Sequence, residues 1–251
     1  MAVATTDLLA MLNDELQPER FQDYCPNGLQ VAGRDEVSLL VTGVTACQAL
    51  LDEAVALGAD AILVHHGYFW KGEGAEITGM KYRRIKTLIN NGINLIAYHL
   101  PLDAHPTMGN NATLAAKLGL RITGTMPGSD PAIGFIGELS AEVAGSGFAA
   151  HIEKTLGRAP LHVDADRPLR RLAFCTGGAQ GFIEEALELD VDGYLTGEVS
   201  EQTVHVAREH GRHFFAAGHH ATESFGVQAV GGWLAERTGV RHQHVDIANP
   251  A

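Results

Sequence analysis

The feature that most constrains the fold is a repeated order of short apolar runs and amphipathic segments. Residues 38–44 form an apolar, β-branched run, residues 46–57 have the spacing of an amphipathic helix, and residues 61–64 form a second apolar run. Apolar runs of this length predict buried strands, and the spacing between them predicts a helix. A strand, a helix and a strand in so short a stretch predict a βαβ unit with parallel strands. We therefore expect an α/β protein of mostly parallel sheet flanked by helices.

The same order of elements recurs towards the C-terminus, with further strands predicted at residues 93–98, 133–139, 172–175, 193–195, 214–217 and 244–247. A shift of 132 residues aligns residues 48–63 with residues 180–195. The alignment gives six identities, at Gln48, Glu53, Ala54, Leu57, Asp60 and Leu63. These identities indicate an internal duplication, although chance similarity between two βαβ units is the alternative. We expect two similar lobes, at residues 1–125 and 126–251.

Three of the predicted strands end in side chains that bind metals. These side chains are His65 and His66, then His99 and Asp103, and finally His219 and Glu223. In parallel α/β sheets, ligands bind beyond the carboxyl ends of the strands. The three stretches are therefore expected to meet in a single site.

The spacing of these side chains favours two ions over one. Successive side chains on a strand point to opposite faces, so His65 and His66 are expected to serve different ions. His219 and Glu223 share one face if a helix begins near His219, and a carboxylate in that position can bridge two metals. Asp103 is expected in an extended loop, with His99 either a ligand or the partner that orients it.

The candidate ligand set contains three histidines and two carboxylates, with no thiolate. Such a set suits two divalent ions such as iron, manganese or zinc, with positions left for water. Paired ions lower the pKa of bound water, which would supply a nucleophile. A GxSxG elbow and a phosphate loop of the GxxxxGK[ST] kind are both absent, which argues against those hydrolytic schemes.

Composition excludes several other classes of function. The net charge is −12, from 30 acidic and 18 basic residues, which argues against broad nucleic-acid binding. No long apolar run predicts a membrane span. The three cysteines are widely spaced and match no disulfide framework, so we expect a cytoplasmic protein. The aromatic loop after the histidine pair either packs on the core or binds a planar base through Trp70 and a phosphate through Lys71.

The motifs of the site resemble those of the NIF-three-like family, the GTP cyclohydrolase I type 2 homologues, and are most similar to its bacterial YbgI-type branch. The stretches that carry the resemblance are His65-His66-Gly67-Tyr68-Phe69-Trp70, His99-Leu100-Pro101-Leu102-Asp103, Thr196-Gly197-Glu198 and Gly218-His219-His220-Ala221-Thr222-Glu223. The resemblance covers essentially the whole chain.

The resemblance implies a dinuclear centre between two α/β lobes. Its ligands would be His65, His66, Asp103, His219 and Glu223, with Glu223 as the bridge, in a ring-shaped homohexamer. The cyclohydrolase label implies that activated water attacks C8 of guanine and that formate leaves. His99 and Glu198 are then candidates for proton transfer, and Trp70 and Lys71 for substrate contact.

Two other hypotheses remain open at this stage. One is a phosphoesterase that uses the same two ions on a small phosphorylated metabolite. The other is a metal-binding oligomeric scaffold or adaptor without turnover.

Overall fold

Helices and strands alternate along the whole chain in the computed structural model, which describes residues 1–251. In order, the first elements are β1 (Val3–Ala4), α1 (Thr5–Leu16), β2 (Gly28–Val31), β3 (Glu36–Val37), β4 (Leu39–Thr45), α2 (Gln48–Leu57), β5 (Ala61–His66), α3 (Gly79–Asn91), β6 (Asn94–Ala97) and α4 (Leu100–Ala104). The remaining elements are α5 (Asn110–Leu118), β7 (Arg121–Thr125), β8 (Phe135–Ala144), α6 (Gly145–Leu156), β9 (Leu161–Val163), β10 (Pro168–Phe174), α7 (Ile183–Leu187), β11 (Gly193–Thr196), α8 (Glu201–Glu209), β12 (His213–Ala216), α9 (His219–Thr222), α10 (Ser224–Thr238) and β13 (Arg241–His244). Short 3₁₀ turns lie at Pro18–Arg20 and Gln180–Phe182. None of the helices combines the length and apolar character that a membrane span requires.

The chain divides into two units. The first unit contains Met1–Leu102 and Gly226–Ala248, and the second contains Asp103–Phe225 and Asn249–Ala251. This division differs from the predicted lobes at residues 1–125 and 126–251 for two reasons. Helix α5 buries its apolar face in the core of the second unit, and β7 pairs with β8 of the same unit. After α10 the chain returns to the first unit, where β13 pairs in parallel with β4.

The first unit is built on a five-stranded sheet in the order β13-β4-β5-β6-β2. Strands β13, β4, β5 and β6 are parallel, and β2 is antiparallel to β6. In β5, every side chain from Ala61 to His65 is buried, as expected of a central parallel strand covered on both faces. The apolar core beside this sheet includes side chains from α2 and α3.

The second unit is built on a six-stranded sheet in the order β7-β8-β10-β11-β12-β9. Strands β10, β11 and β12 are parallel, whereas β8 and β9 pair antiparallel at either side of them. The apolar core formed with α5 and α6 contains Phe148, Phe174 and Phe215. The three parallel strands end on the same side, which brings Thr176, Glu198 and His219 to one edge of this sheet.

The two sheets repeat a common core in the register that the sequence shift predicts. In the first sheet Leu40 pairs with Ala61, and in the second Leu172 pairs with Gly193, each 132 residues later. The mixed α/β architecture with two similar sheets is therefore the fold that the repeated pattern predicts.

A pair of equivalent aspartates reinforces this repeat. Asp60 Oδ2 accepts the backbone N–H groups of Ser38 and Leu39 at 2.9 and 3.0 Å. Asp192 Oδ2 accepts the N–H groups of Arg170 and Arg171, both at 2.9 Å. In each unit one carboxylate thus joins the beginnings of two neighbouring strands.

Two local predictions are wrong. The strand expected at residues 244–247 lies at Arg241–His244, because a polar sequence can form an edge strand and the apolar Val245 and Ile247 instead pack against the core. Asp103 belongs to the short helix α4 and not to an extended loop. Pro101 is compatible with this helix because the first turn needs no donor at that position.

Candidate metal centre

The carboxyl end of β5 brings three imidazoles of the first unit together. His65 is fully buried and His66 is partly exposed, and their ring centroids are 4.5 Å apart. The ring of His99, which follows β6, lies 5.0 Å from His65 and 5.8 Å from His66. The prediction that His65 and His66 point apart is wrong, because the last residue of the strand turns its ring towards its neighbour. Their ring nitrogens, with one from His99, lie within 4.8 Å of one another.

Hydrogen bonds define which ring nitrogen of His65 carries the lone pair. His65 Nδ1 lies 3.1 Å from the backbone oxygen of Tyr98. A carbonyl oxygen only accepts, so Nδ1 carries the proton and Nε2 carries the lone pair. Histidine ligands in proteins commonly donate their other N–H to a backbone carbonyl in this manner. His66 Nδ1 has Thr45 Oγ1 as its partner at 3.3 Å.

Asp23 orients the third imidazole, His99. The distance from His99 Nδ1 to Asp23 Oδ1 is 2.7 Å, and Asp23 also accepts the N–H of Leu100 and the amide of Asn27. Burial raises the pKa of Asp23, but the hydrogen bond and charge of His99, with Asn27 and Tyr24 N–H, outweigh it and lower the pKa. The carboxylate is therefore ionised and holds the Nδ1 proton of His99, which leaves Nε2 for chemistry.

The neighbours of these histidines are aromatic and apolar. The ring of Trp70 lies 4.9 Å from His99 and 5.8 Å from His66, and its Nε1–H donates to Gly67 O. Trp70 therefore lies where a planar substrate would pass. The side chain of Lys71 is exposed, and its backbone N–H is bonded to Tyr24 O at 2.6 Å.

In the second unit, Asp103 is held by two neutral donors. Asn110 Nδ2 donates to Asp103 Oδ1 at 2.9 Å, and Thr176 Oγ1 donates to the same oxygen at 3.2 Å. Asn111 is fully buried, donates to Asp103 O and accepts the N–H of Thr176. The two asparagines at the beginning of α5 therefore fix the position of the carboxylate, while Gly109 is the N-cap.

His219 lies between two carboxylates of the second unit. Its Nδ1 is 2.8 Å from Glu198 Oε1, and its Nε2 is 3.1 Å from Glu223 Oε2. The hydrogen bond to Glu223 raises the pKa of His219 most, burial lowers it, and Glu198 raises it further, with a result of about 9. A proton thus occupies a place that attracts positive charge. A metal ion bound there would replace that proton.

Two glycines make this arrangement sterically feasible. Gly177 has φ +69°, and a Cβ there would collide with Glu223 Oε1 and lie 3.3 Å from His219 Nε2. A Cβ on Gly197 would lie 2.6 Å from the backbone oxygen of Gly177. Only glycine permits such a backbone conformation and so close an approach.

The donors present in the two units fit divalent ions. The carboxylate oxygens of Asp103 and Glu223 lie within 4.8 Å of each other, and both side chains are buried. The thiols nearby are not competing ligands: burial, with Asp103 and Glu223, raises the pKa of Cys175, and burial with Asp23 raises that of Cys25 to about 12. Imidazole and carboxylate donors without thiolates suit borderline and hard divalent ions.

Sequence reasoning missed the residues that orient these donors. Asp23, Asn110 and Thr176 each hold a candidate ligand or its neighbour. Asp23 lies outside any periodic segment, so the sequence carries no signal for its role. Thr176 directly follows β10 at a strand end, which is the one signal that could have indicated it.

Comparison with known proteins identifies the family. A sequence profile described as Duf34/NIF3 (NGG1p interacting factor 3) matches residues 3–250. The chain belongs to this family. A Pseudomonas aeruginosa protein named GTP cyclohydrolase 1 type 2 homolog is 56% identical over 252 residues, which cover 100% of both chains. An Escherichia coli K12 protein of the same name is 54% identical over 98% of this chain and 99% of its own.

Solved structures of family members have the same fold. The protein ybgI, described as of unknown function, is similar with a TM-score of 0.96 and 53% identity over 99% of this chain and 100% of its own. A protein from Thermus thermophilus has a TM-score of 0.89 and 31% identity, over 99% of this chain and 100% of its own. The resemblance read from the sequence motifs is therefore confirmed.

Proposed function

We propose that this Duf34/NIF3 member is a metal-dependent hydrolase of a nucleotide, opening the purine ring with release of formate. Two divalent ions of iron, manganese or zinc would be held jointly by His65, His66, Asp103, His219 and Glu223. The observation that carries the proposal is the buried carboxylate of Glu223, which shares a positive charge with His219 and lies close to Asp103. Such a carboxylate is suited to bridging two ions. The name of the Pseudomonas aeruginosa relative supports the choice of substrate class.

The chain's own residues have separate roles in this proposal. Bound ions would lower the pKa of a water molecule and stabilise the charge that develops on the substrate. His99, with its Nδ1 proton held by Asp23, would take up and return a proton at Nε2. Glu198 would orient His219 through Nδ1, as carboxylates do for histidine ligands. Trp70 would stack on the planar base, and Lys71 would meet a phosphate.

The proposal is tested with a panel of nucleotides and the Mn, Fe and Zn forms of the protein. We expect formate release from a purine nucleotide by at least one metal form. Asp103→Ala should abolish it, and Asp23→Asn should lower kcat by about 10²–10⁴ if the proton transfer through His99 is lost. The exposed Glu209→Gln is the matched control and should leave the rate unchanged.

Each alternative has its own result in the same assay. Phosphate release without formate would support the two-metal phosphoesterase. Neither product from any metal form would support the non-catalytic scaffold and contradict the hydrolase. Metal content that does not fall in Glu223→Ala would contradict the ligand set itself.

The proposal includes a cytoplasmic homohexamer. Sedimentation velocity of the purified protein checks the assembly, for which we expect a single species of six chains. A monomer or dimer at micromolar concentration would contradict it.

A further inference from the structure

A second group of metal-binding side chains lies in the second unit, away from the strand ends. His162 is in β9, His213 is the first residue of β12, and Asp164 follows β9. The distances are 3.2 Å from His162 Nε2 to His213 Nδ1, 3.3 Å from His213 Nδ1 to Asp164 Oδ1, and 4.0 Å from His162 Nε2 to Asp164 Oδ1. Tetrahedral bonds of about 2.1 Å put ligand atoms roughly 3.4 Å apart. The three atoms are therefore spaced as the ligands of one ion.

We propose that His162, Asp164 and His213 form a mononuclear site for a borderline divalent ion such as zinc, cobalt or nickel. The site is independent of the proposed dinuclear centre. It would join the edge strand β9 to β12 and leave positions for water.

The hydrogen bonds of His213 direct a lone pair into the site. Its side chain is fully buried, and Nε2 lies 2.8 Å from the backbone oxygen of Arg167. The carbonyl only accepts, so Nε2 carries the proton and Nδ1 the lone pair. Burial lowers the pKa of His162, and the charge of His213 lowers it further against the opposing effect of Asp164. A neutral imidazole is the form that binds metals.

The first unit offers an internal comparison. Asn94 takes the place of His213 there, since Asn94 pairs with Ala61 as His213 pairs with Gly193. Asn94 Oδ1 accepts the N–H of Gly33 at 2.8 Å, and the equivalent bond from Ala165 to His213 Nδ1 is longer, at 3.3 Å. An amide alone thus performs the backbone task.

The second unit places two metal ligands around that position. The residues 132 positions before His162 and Asp164 are Gln30 and Ala32, which supply neither an imidazole nor a carboxylate. The long Ala165 bond shows that His213 Nδ1 is shared among several neighbours. Backbone support therefore does not account for the histidine and the aspartate that the second unit has in addition.

The surroundings of the site favour a cation. A cavity of about 570 Å³ is lined by Asp164 together with Glu142, Asp166 and Arg167. Arg167 is paired with Asp192 at 3.0 Å, so its charge is already compensated and the carboxylates dominate. Asp164 Oδ1 also accepts the N–H of Asp166 at 3.3 Å, which helps to hold the carboxylate. The ring of His162 is fixed by stacking on Phe215 at 4.4 Å and 8°.

Gly145 keeps space open beside the two rings. A Cβ there would collide with the imidazole of His213 and lie 3.0 Å from His162 Cε1. Gly145→Ala is therefore a variant that disturbs the site without removing a ligand.

The test is zinc binding by the His65→Ala/His66→Ala variant, measured by competition with a chromophoric chelator. This background removes two ligands of the proposed dinuclear centre, so the outcome does not depend on that proposal. We expect one zinc ion per chain, with affinity falling at least tenfold in His162→Ala, in Asp164→Asn and in Gly145→Ala. The exposed His205→Ala is the matched control and should bind like the background.

Asp164→Asn keeps the test decisive if His162→Ala unfolds, because the Asp164 side chain is 61% exposed. Cobalt binding gives a second readout, through the visible absorption of a tetrahedral site that should vanish in both variants. Two results would overturn the proposal. One is no zinc bound by the background, and the other is the same affinity in the ligand variants and in His205→Ala. His162 and His213 would then be a hydrogen-bonded pair only.

Discussion

At the scale of single residues, the candidate centre depends on an absent side chain as much as on its donors. Gly177→Ala places a Cβ against Glu223 Oε1 at a backbone φ of +69°. We expect displacement of Glu223, a loss of about 1–3 kcal/mol in the free energy of unfolding, and weaker metal binding. Thermal unfolding and a metal titration of the variant measure both effects.

Gly147→Ala is the control for this substitution. Gly147 lies in α6, and a Cβ there meets nothing within 4 Å. Alanine should stabilise that helix by up to about 1 kcal/mol and leave metal binding unchanged. If Gly177→Ala behaved like Gly147→Ala in both measurements, Gly177 would not support Glu223.

At the scale of elements, one carboxylate in the first unit joins the beginnings of β4 and β5. Burial raises the pKa of Asp60, but the N–H groups of Ser38 and Leu39 and the charge of Arg34 outweigh it and lower the pKa. A carboxyl with a lowered pKa stabilises the fold above its unfolded pKa of about 3.9, and this contribution is lost as the pH falls through the folded value.

Asp60→Asn should therefore cost about 1.5–3 kcal/mol at pH 7, from the loss of charge-assisted hydrogen bonds. The difference from the parent protein should shrink at pH 3, where the carboxyl is protonated. Urea unfolding of both proteins at the two pH values measures it, with the exposed Asp14→Asn as control. An equal difference at both pH values would show that the charge of Asp60 is not what holds the strands.

Elements with strong periodicity were predictable from the sequence, and those governed by tertiary contacts were not. Helices α5 and α8 begin and end where their apolar spacing and flanking residues indicate, at Asn110–Leu118 and Glu201–Glu209. Strand β13 is polar, and its place beside β4 depends on pairing with a strand some 200 residues earlier in the chain. The candidate ligands could be found because they follow strands. Asp23 could not, because its partner His99 is 76 residues away.

At the scale of the whole molecule, bound ions should couple to stability. The chain carries a net charge of −12, and buried carboxylates such as Asp103 and Glu223 add repulsion that cations relieve. Ions present at 100 times their Kd stabilise a protein by about 2.7 kcal/mol. For a chain of this length that corresponds to a rise in Tm of roughly 5–10 °C.

Differential scanning calorimetry of the chelator-treated and Mn²⁺-loaded protein measures this shift. We expect Glu223→Ala to lose most of it, because the bridging ligand is missing. The control Glu209→Gln should keep the full shift. An identical Tm with and without metal in the parent protein would mean that no tight ion is bound by the folded state.

The most direct test of the central claim is anomalous X-ray diffraction from crystals grown with Mn²⁺, recorded on either side of the manganese absorption edge. The account predicts two peaks about 3.5–4 Å apart, as in two-metal sites. One or both peaks should contact each of His65, His66, Asp103, His219 and Glu223. A single peak, or manganese bound only elsewhere on the chain, would contradict the dinuclear centre.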